Sequence, residues 1–236
     1  YSSRGLVFVL AGSGLMLPHD AAAILWSLLA VTMAVLSGRT GRVALSLQCT
    51  LLLFAAGVYS GILSTGLGAL AGDAGPGWPG LLGTHVIVAI ATVACLFIPV
   101  AQQSERWGKL AGLPQLIVLA LAVWEVGGLM VIFLAPLLAG AASEEPNLSV
   151  LASVRTAVLS VAAVTLAISS THWRWPEARW LAYPLLILVA IKLFAEDFPH
   201  GQPATLFVSL AFVGSALLLV AKVIKRAGPA AADAAA

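Results

Sequence analysis

The sequence predicts an all-α fold, a polytopic transmembrane helical bundle of about eight spans with both termini on the cytoplasmic side. Three observations predict this fold. Of the 236 residues, 61% are hydrophobic and only 9% are charged, whereas a soluble domain carries about 25% charged residues. Apolar runs alternate with short segments rich in glycine, proline or charge. Basic residues keep to every second loop. Because water cannot solvate a surface so poor in charge, lipid is the expected solvent.

Each apolar run is expected to form one helix across the bilayer. The runs cover residues 5–17, 21–36, 43–71, 81–101, 114–139, 148–171, 180–196 and 204–222. The first run is short for a membrane span, and we expect it to be a span whose first residues are missing from this sequence. The third is long enough to tilt strongly or to continue past the membrane. The predicted organisation is a single transmembrane domain over 1–226 and a disordered, alanine-rich tail over 227–236.

The charges in the loops predict the orientation, because lysine and arginine stay on the cytoplasmic side of short loops. One set of loops and both ends hold Arg4, Arg39, Arg42, Arg106, Lys109, Arg174, Arg179, Lys222, Lys225 and Arg226. The opposite loops hold Asp20, Asp73, Glu144, Glu145 and Asp197. A wrong span count would scramble this alternation. The net charge of +2 is small and spread over short loops, so no nucleic-acid partner is expected.

Three charged residues are candidates for intramembrane sites: Glu125, Arg155 and Lys192. Glu125 lies about 16 Å deep in the fifth run, and Arg155 lies about 10 Å below the outer surface in the sixth. A carboxylate near the midplane is costly unless it is paired or protonated, and arginine cannot be neutralised. Glu125 is therefore either a proton or cation site or one half of a structural ion pair. Arg155, on the next helix, is the candidate partner.

Lys192 lies about 9 Å below the outer surface in the seventh run, and Glu196 at position i+4 shares its helix face. We interpret Lys192 as a snorkelling residue with that local pair. The preceding stretch, Trp180-Leu181-Ala182-Tyr183-Pro184, looks like the W-x-x-Y-P stretch in the sixth helix of microbial rhodopsins. Their retinal lysine lies on the next helix, whereas Lys192 is on the same helix. Retinal is therefore rejected as a cofactor.

Several polar residues are predicted at the outer face: His19, Asp20, His85, Glu196, Asp197 and His200. A haem b held by two histidines needs ligands at similar depth on facing helices, and only His19 with His85 approaches that arrangement. Interfacial, hydrogen-bonding histidines are the preferred interpretation, and haem b is the alternative. A metal site on this face is a further alternative, although no spacing motif supports it.

Gly57 and Gly61 form a GxxxG pair in the third run, a spacing that lets two helix backbones approach closely. We expect this pair to face a neighbouring helix. Cys49 and Cys95 lie in apolar runs without a CxxC spacing, and we interpret them as small buried hydrophobes. The prolines inside runs fall within about two turns of a helix end. The sequence therefore predicts no helix break at the midplane, where transporters place them.

The last two runs carry an ordered set of residues. After an aromatic-rich start, Lys192, Leu193 and Asp197 form a K-L-x-x-x-D turn, Gly214 falls inside the next helix, and Arg226 marks a basic end. This order in segment 179–226 is similar to the C-terminal two helices of large, uncharacterised, many-spanning bacterial membrane proteins of the DUF2339 type. The resemblance implies the last part of a longer protein or a shorter relative. It implies no activity, because none is assigned to that family.

The leading functional hypothesis is a non-catalytic subunit that anchors or scaffolds a larger complex in the plasma (bacterial inner) membrane. Its partners would be the lipid bilayer and other membrane subunits. This hypothesis depends on short loops, the lack of a catalytic motif and the lack of predicted midplane breaks. One alternative is a transporter or proton-conducting unit that uses Glu125. A third is a redox subunit that handles quinone or haem. An enzyme is not favoured.

The predicted orientation is tested by single cysteines introduced into a chain from which Cys49 and Cys95 have been removed. A cysteine at Ser143 should react with a membrane-impermeant maleimide in intact cells, because its loop carries acidic residues and no basic ones. A cysteine at Ser104, in the Arg106 loop, should react only after the cells are opened. Labelling of Ser143 from the cytoplasmic side alone would contradict the predicted orientation.

Overall fold

The structure, a computed structural model, describes residues 2–71, 82–98, 112–139, 148–172, 175–200 and 203–233. Every regular element in these ranges is helical, which confirms the all-α prediction for them. The elements are α1 (Ser2–Met16), α2 (His19–Thr40), α3 (Val43–Ser60), α4 (Ile62–Ala71), α5 (Leu82–Phe97), α6 (Leu113–Ala139), α7 (Leu148–His172), α8 (Pro176–Lys192), a π-helical turn (Leu193–Asp197), α9 (Phe198–His200) and α10 (Pro203–Asp233).

Six described helical segments are long and apolar enough to cross a membrane: His19–Thr40, Val43–Ser60, Leu113–Leu138, Ser149–His172, Glu177–Ala195 and Pro203–Val223. Three shorter helical segments are also apolar: Gly5–Met16, Ile62–Ala71 and Gly83–Phe97. The chain is therefore a multi-pass membrane protein, as predicted. The count of eight spans and the side on which the termini lie stay predictions. The loop charges at Asp73, Arg106, Lys109, Glu144, Glu145 and Arg174 lie outside the described residues.

The third predicted run is two helices, so the expectation of one continuous helix over 43–71 is wrong. Between α3 and α4, Gly61 takes φ 80° and ψ 2°, a left-handed conformation that glycine adopts without steric cost. Its N–H donates to the Val58 carbonyl at 3.1 Å. The Ser60 hydroxyl donates to the Gly57 carbonyl at 3.3 Å and accepts from the Ile62 N–H at 3.4 Å. Because Gly61 lies outside α3, the two glycines do not share one helix face.

The chain divides within α6 into two compact units, Tyr1–Val126 and Gly127–Ala236. In the first unit, α2 packs against α3 and α5. The contact face of α2 is built mostly of small side chains, which let helix backbones approach closely; they include Ala22, Ala23, Ser27, Ala30 and Ala34. At one end of this unit, the Trp26 N–H donates to Ser13 of α1 at 2.7 Å, and the Tyr59 hydroxyl donates to the Gly14 carbonyl at 2.7 Å.

In the second unit, α7 packs against α8 and α10. Its core is a cluster of small and branched apolar side chains: Ala163, Ala167, Leu186, Ala216 and Val220. The Ser209 hydroxyl of α10 donates to the Ser153 hydroxyl of α7 at 3.3 Å. The last helix continues to Asp233 and so includes residues 227–233 of the segment predicted as a tail.

The left-handed conformation of Gly61 at the α3–α4 junction predicts opposite effects for two glycine-to-alanine changes. Gly61→Ala should lower the free energy of unfolding by about 1–2 kcal/mol, because a Cβ is disfavoured at this positive φ. Gly214→Ala is the matched control, since a Cβ there meets nothing within 4 Å. That change should stabilise α10 by about 0.5–1 kcal/mol. Unfolding of both variants in detergent measures the difference. Equal effects would contradict the role of Gly61.

Candidate functional site

Glu125 lies in α6 and is 0% exposed. The helix that carries it begins with Leu113 and Pro114, and proline in the first turn costs no internal hydrogen bond. The apolar residues that follow make α6 long enough to cross a membrane. Glu125 is thus an acidic residue placed inside a transmembrane helix, as the sequence predicted, and it is fully enclosed by protein.

The carboxyl group of Glu125 lies against α3. A Cβ built on Gly57 would be 3.1 Å from Oε1 of Glu125 and 3.1 Å from Cγ of Leu63. A side chain at Gly57 would therefore make unusually tight contacts with the carboxyl group and with Leu63. Gly57 does mark a close approach, as the GxxxG spacing suggested. The close approach is made with a buried carboxyl group and a leucine of α4.

Thr92 of α5, which is also fully buried, presents its hydroxyl group to Glu125. This hydroxyl donates its proton to the Val88 carbonyl at 3.1 Å, one turn earlier in the same helix. Among the described residues, neither carboxylate oxygen of Glu125 has a hydrogen-bond partner. An enclosed carboxyl group without such partners is rare in proteins, because its desolvation is uncompensated.

Trp124, the residue before Glu125, contacts the other half of the broken helix. Its indole N–H donates to the Leu63 carbonyl of α4 at 3.0 Å. Its ring packs against Gly66, where an added Cβ would be 3.2 Å from Cδ1. Two consecutive residues of α6 therefore contact both sides of the break at Gly61. Glu125 contacts the last turns of α3, and Trp124 contacts α4.

The other predicted intramembrane charges belong to the second unit. Arg155 of α7 is buried at 2% exposure and interacts with other groups of the protein. Because Glu125 belongs to the first unit, the ion pair between them stays a prediction. Lys192 is the last residue of α8, is half-buried and has interactions of its own. Glu196 follows in the π-helical turn, but its side chain lies outside the described residues, so that local pair also stays a prediction.

The outer-face candidates are dispersed along the chain. His19 and Asp20 are exposed in the first turn of α2, and the His19 ring meets the Tyr59 ring edge-on with centroids 4.5 Å apart. His85 is buried in α5 and has interactions within the protein. The side chains of Asp197 and His200 lie outside the described residues. Among the side chains that are described, no three His, Cys, Asp or Glu residues gather into a metal site. Haem b stays the alternative to interfacial, hydrogen-bonding histidines.

Sequence reasoning missed most of the surroundings of Glu125. No sequence motif marks Thr92, Leu63 or Gly66. Each of them is more than 30 residues from Glu125 along the chain. Trp124 offered one signal, because a tryptophan deep inside a span is unusual for a side chain that prefers the membrane interface. Its N–H needs an acceptor when it is buried, and here the acceptor is a carbonyl next to the helix break.

No protein-family model, curated protein or solved structure matches this chain. The resemblance of segment 179–226 to proteins of the DUF2339 type therefore stays a prediction. The function has to be inferred from the geometry around Glu125.

The close approach at Gly57 predicts a cost for any added side chain. Gly57→Ala should lower the free energy of unfolding by about 1–3 kcal/mol, because its Cβ overpacks the space shared by Glu125 and Leu63. Gly83→Ala is the matched control, since a Cβ there meets nothing within 4 Å. Thermal unfolding in detergent compares the two variants. A Gly57→Ala protein as stable as the wild type would show that α3 and α6 are not in tight contact.

Proposed function

We propose that this multi-pass membrane protein conducts or transports protons across the bilayer, and that Glu125 is the group that binds and releases them. The observation that carries the proposal is the enclosed carboxyl group of Glu125, which accepts no hydrogen bond from the described residues. In a bilayer core, an ionisable residue costs several kcal/mol unless it is paired, and such residues typically mark ion or proton pathways.

The surroundings of the carboxyl group favour a proton over a metal cation as its ligand. Hard divalent cations take about six or more oxygen ligands. Among the described residues, Glu125 belongs to no group of three or more His, Cys, Asp or Glu side chains that could hold a metal ion. A proton needs only one basic oxygen. Because the Thr92 hydroxyl proton is committed to the Val88 carbonyl, its lone pairs can accept a hydrogen bond from a protonated Glu125.

The break at Gly61 supports transport over passive anchoring. Transporters often place ion sites beside discontinuous helices, and Glu125 and Trp124 contact opposite sides of such a break. The anchoring hypothesis depended in part on the lack of predicted midplane breaks, whereas the break at Gly61 follows the 18 residues of α3, about 27 Å along the helix. The anchoring and redox roles stay alternatives. Copurifying subunits or a haem absorption band in the detergent-extracted protein would favour them.

Alternating access requires the carboxyl group to face one side of the membrane at a time, and the α3–α4 junction is a candidate hinge. Gly61 can change its backbone angles at low steric cost. The hydrogen bond between the Trp124 N–H and the Leu63 carbonyl would hold α4 in the present arrangement. Movement of α4 about Gly61 would break that bond and loosen the packing beside Glu125.

Proton flux into proteoliposomes tests the proposal directly. A potassium gradient with valinomycin drives protons inward, and an entrapped pH-sensitive dye reports them. Glu125→Gln should reduce the flux to the level of liposomes without protein, because glutamine cannot exchange a proton at this site. Asp20→Asn is the matched control, since Asp20 is an exposed carboxylate at the start of α2, and it should conduct like the wild type.

The structural alternative is an ion pair between Glu125 and Arg155. Stability measurements distinguish this ion pair from a proton site. If the pair exists, Glu125→Gln should cost about 3–5 kcal/mol by stranding a buried arginine. Adding Arg155→Met should then recover much of the loss. The proton-site proposal expects Glu125→Gln to unfold like the wild type. A conducting Glu125→Gln protein, or recovery in the double variant, would refute the proposal.

A further inference from the structure

A small cavity with a polar lining lies inside the first unit, at the end of α3 that is away from the break at Gly61. Its volume is about 20 Å³, enough for about one water molecule. Four helices supply its polar groups: Ser37 of α2, Ser46, Cys49 and Thr50 of α3, Cys95 of α5 and Gln115 of α6. The interpretation of the two cysteines as small buried hydrophobes does not account for the hydroxyl and amide groups around them.

The groups around the cavity keep hydrogen-bonding capacity for a water molecule. The hydroxyl groups of Ser37, Ser46 and Thr50 donate their protons to backbone carbonyls at 3.2, 2.7 and 2.8 Å respectively, and each oxygen still has lone pairs that accept a hydrogen bond. The Gln115 side-chain amide donates to the Leu96 carbonyl at 3.4 Å and has a second N–H to donate. Because a buried water molecule needs about two to four polar partners, this lining can hold one.

The cavity and Glu125 lie along the same three helices. On α6, positions 115, 118, 122 and 125 share one helix face, so Gln115 at the cavity and the carboxyl group of Glu125 lie on the same side of that helix. On α3, positions 49, 53 and 57 likewise share a face. On α5, Thr92 presents its hydroxyl group to Glu125 and precedes Cys95 by three residues, which is about 4.5 Å along the helix. Thr92 therefore lies between the cavity and the carboxyl group.

We infer that this cavity binds water and is the inlet through which protons from one side of the membrane reach Glu125. The inference rests on the proposed proton transport. A water molecule in the cavity accepts one proton and releases another, so it carries charge inward without being consumed. One further water molecule can bridge the turn of α5 between Cys95 and Thr92. The Thr92 hydroxyl oxygen then holds the protonated carboxyl group of Glu125 by accepting its hydrogen bond.

The position of the cavity predicts that it serves the cytoplasmic side. The Ser37 hydroxyl donates to the carbonyl of Arg42, in the connection between α2 and α3. Arg39 and Arg42 are exposed there, and basic residues in short loops predict the cytoplasmic side. The break at Gly61 and α4 lie at the opposite end of α3. The cavity would therefore supply one route to Glu125 and movement of α4 the other, as alternating access requires.

Hydrogen exchange at the two thiols tests for water in the cavity independently of transport. Cys49 and Cys95 are the two cysteines of the chain and both are free, so the S–H stretching band of the infrared spectrum reports on this cavity. In D₂O, the band should convert rapidly to the S–D band. Ser46→Val should slow the conversion by at least about tenfold, because its added methyl group takes the place of the water and exchange then requires local opening. A wild-type S–H band that persists for hours would overturn the inference.

Proton flux into proteoliposomes tests whether the cavity is the inlet. Ser46→Val should lower the flux by at least about tenfold, equal to a barrier raised by about 1.36 kcal/mol, whereas Ser46→Ala leaves the space open and should conduct like the wild type. Thr50→Val keeps the side-chain volume, removes an oxygen that accepts from water, and should also lower the flux. Ser215→Val is the matched control, because Ser215 makes the same kind of backbone hydrogen bond at 2.7 Å but is exposed. Thermal unfolding in detergent verifies that each variant is folded.

The outcomes separate this inference from the proposed function. Rapid thiol exchange in the wild type, together with lost flux in Ser46→Val and Thr50→Val, would support the inlet. If both variants conduct like the wild type while Glu125→Gln does not, the inlet is wrong and Glu125 stays the proton site. A wild type that does not conduct, or a Glu125→Gln protein that does, would refute the proposed function and the inlet with it.

Discussion

Because hydrocarbon offers no hydrogen bonds, polar groups in a membrane protein must find their partners within the protein. This need explains most of the polar contacts in the first unit. Buried hydroxyl groups meet this need within their own helix, as Ser27 does with the Ala23 carbonyl and Thr92 with the Val88 carbonyl. A glutamate cannot use this solution when it is ionised, because it then has no proton to give. Glu125 therefore depends on a ligand or on another part of the protein. This dependence distinguishes it from Ser27 and Thr92, whose hydroxyl groups are satisfied within their own helices.

The broken helix follows from the same constraint. Backbone groups freed where an apolar helix ends need partners within the protein, and at Gly61 the Ser60 hydroxyl and the Val58 carbonyl supply them. The two halves then need support from a neighbour, which α6 provides through Trp124 and Glu125. The helix break and the buried carboxyl group are therefore parts of one arrangement, and the proposed transport role would account for both.

Small side chains determine how closely the helices of the first unit approach. The buried face of α2 is rich in alanine and serine, so α3 and α5 both pack against it and against each other. Their mutual contact brings Cys49 to Cys95. Gly57 and Thr92, from the same two helices, lie beside Glu125. One pair of helices thus positions both the proposed proton site and the contact between the two thiol groups.

The sequence by itself determined the helical, multi-pass character of the chain and the presence of an acidic residue inside a membrane helix. Both depend on local composition, since a long apolar run forms a helix in lipid whatever its neighbours are. Only the tertiary structure decided the break at Gly61, because residues 43–60 and 62–71 are about equally apolar and Gly61 fits a helix end and a GxxxG packing pair equally well. The tertiary structure also decided the contact between Glu125 and Gly57 and the contact between the thiol groups of Cys49 and Cys95. These contacts join segments far apart in the chain, and they arise from the fit of side-chain shapes across helix faces, which composition does not encode.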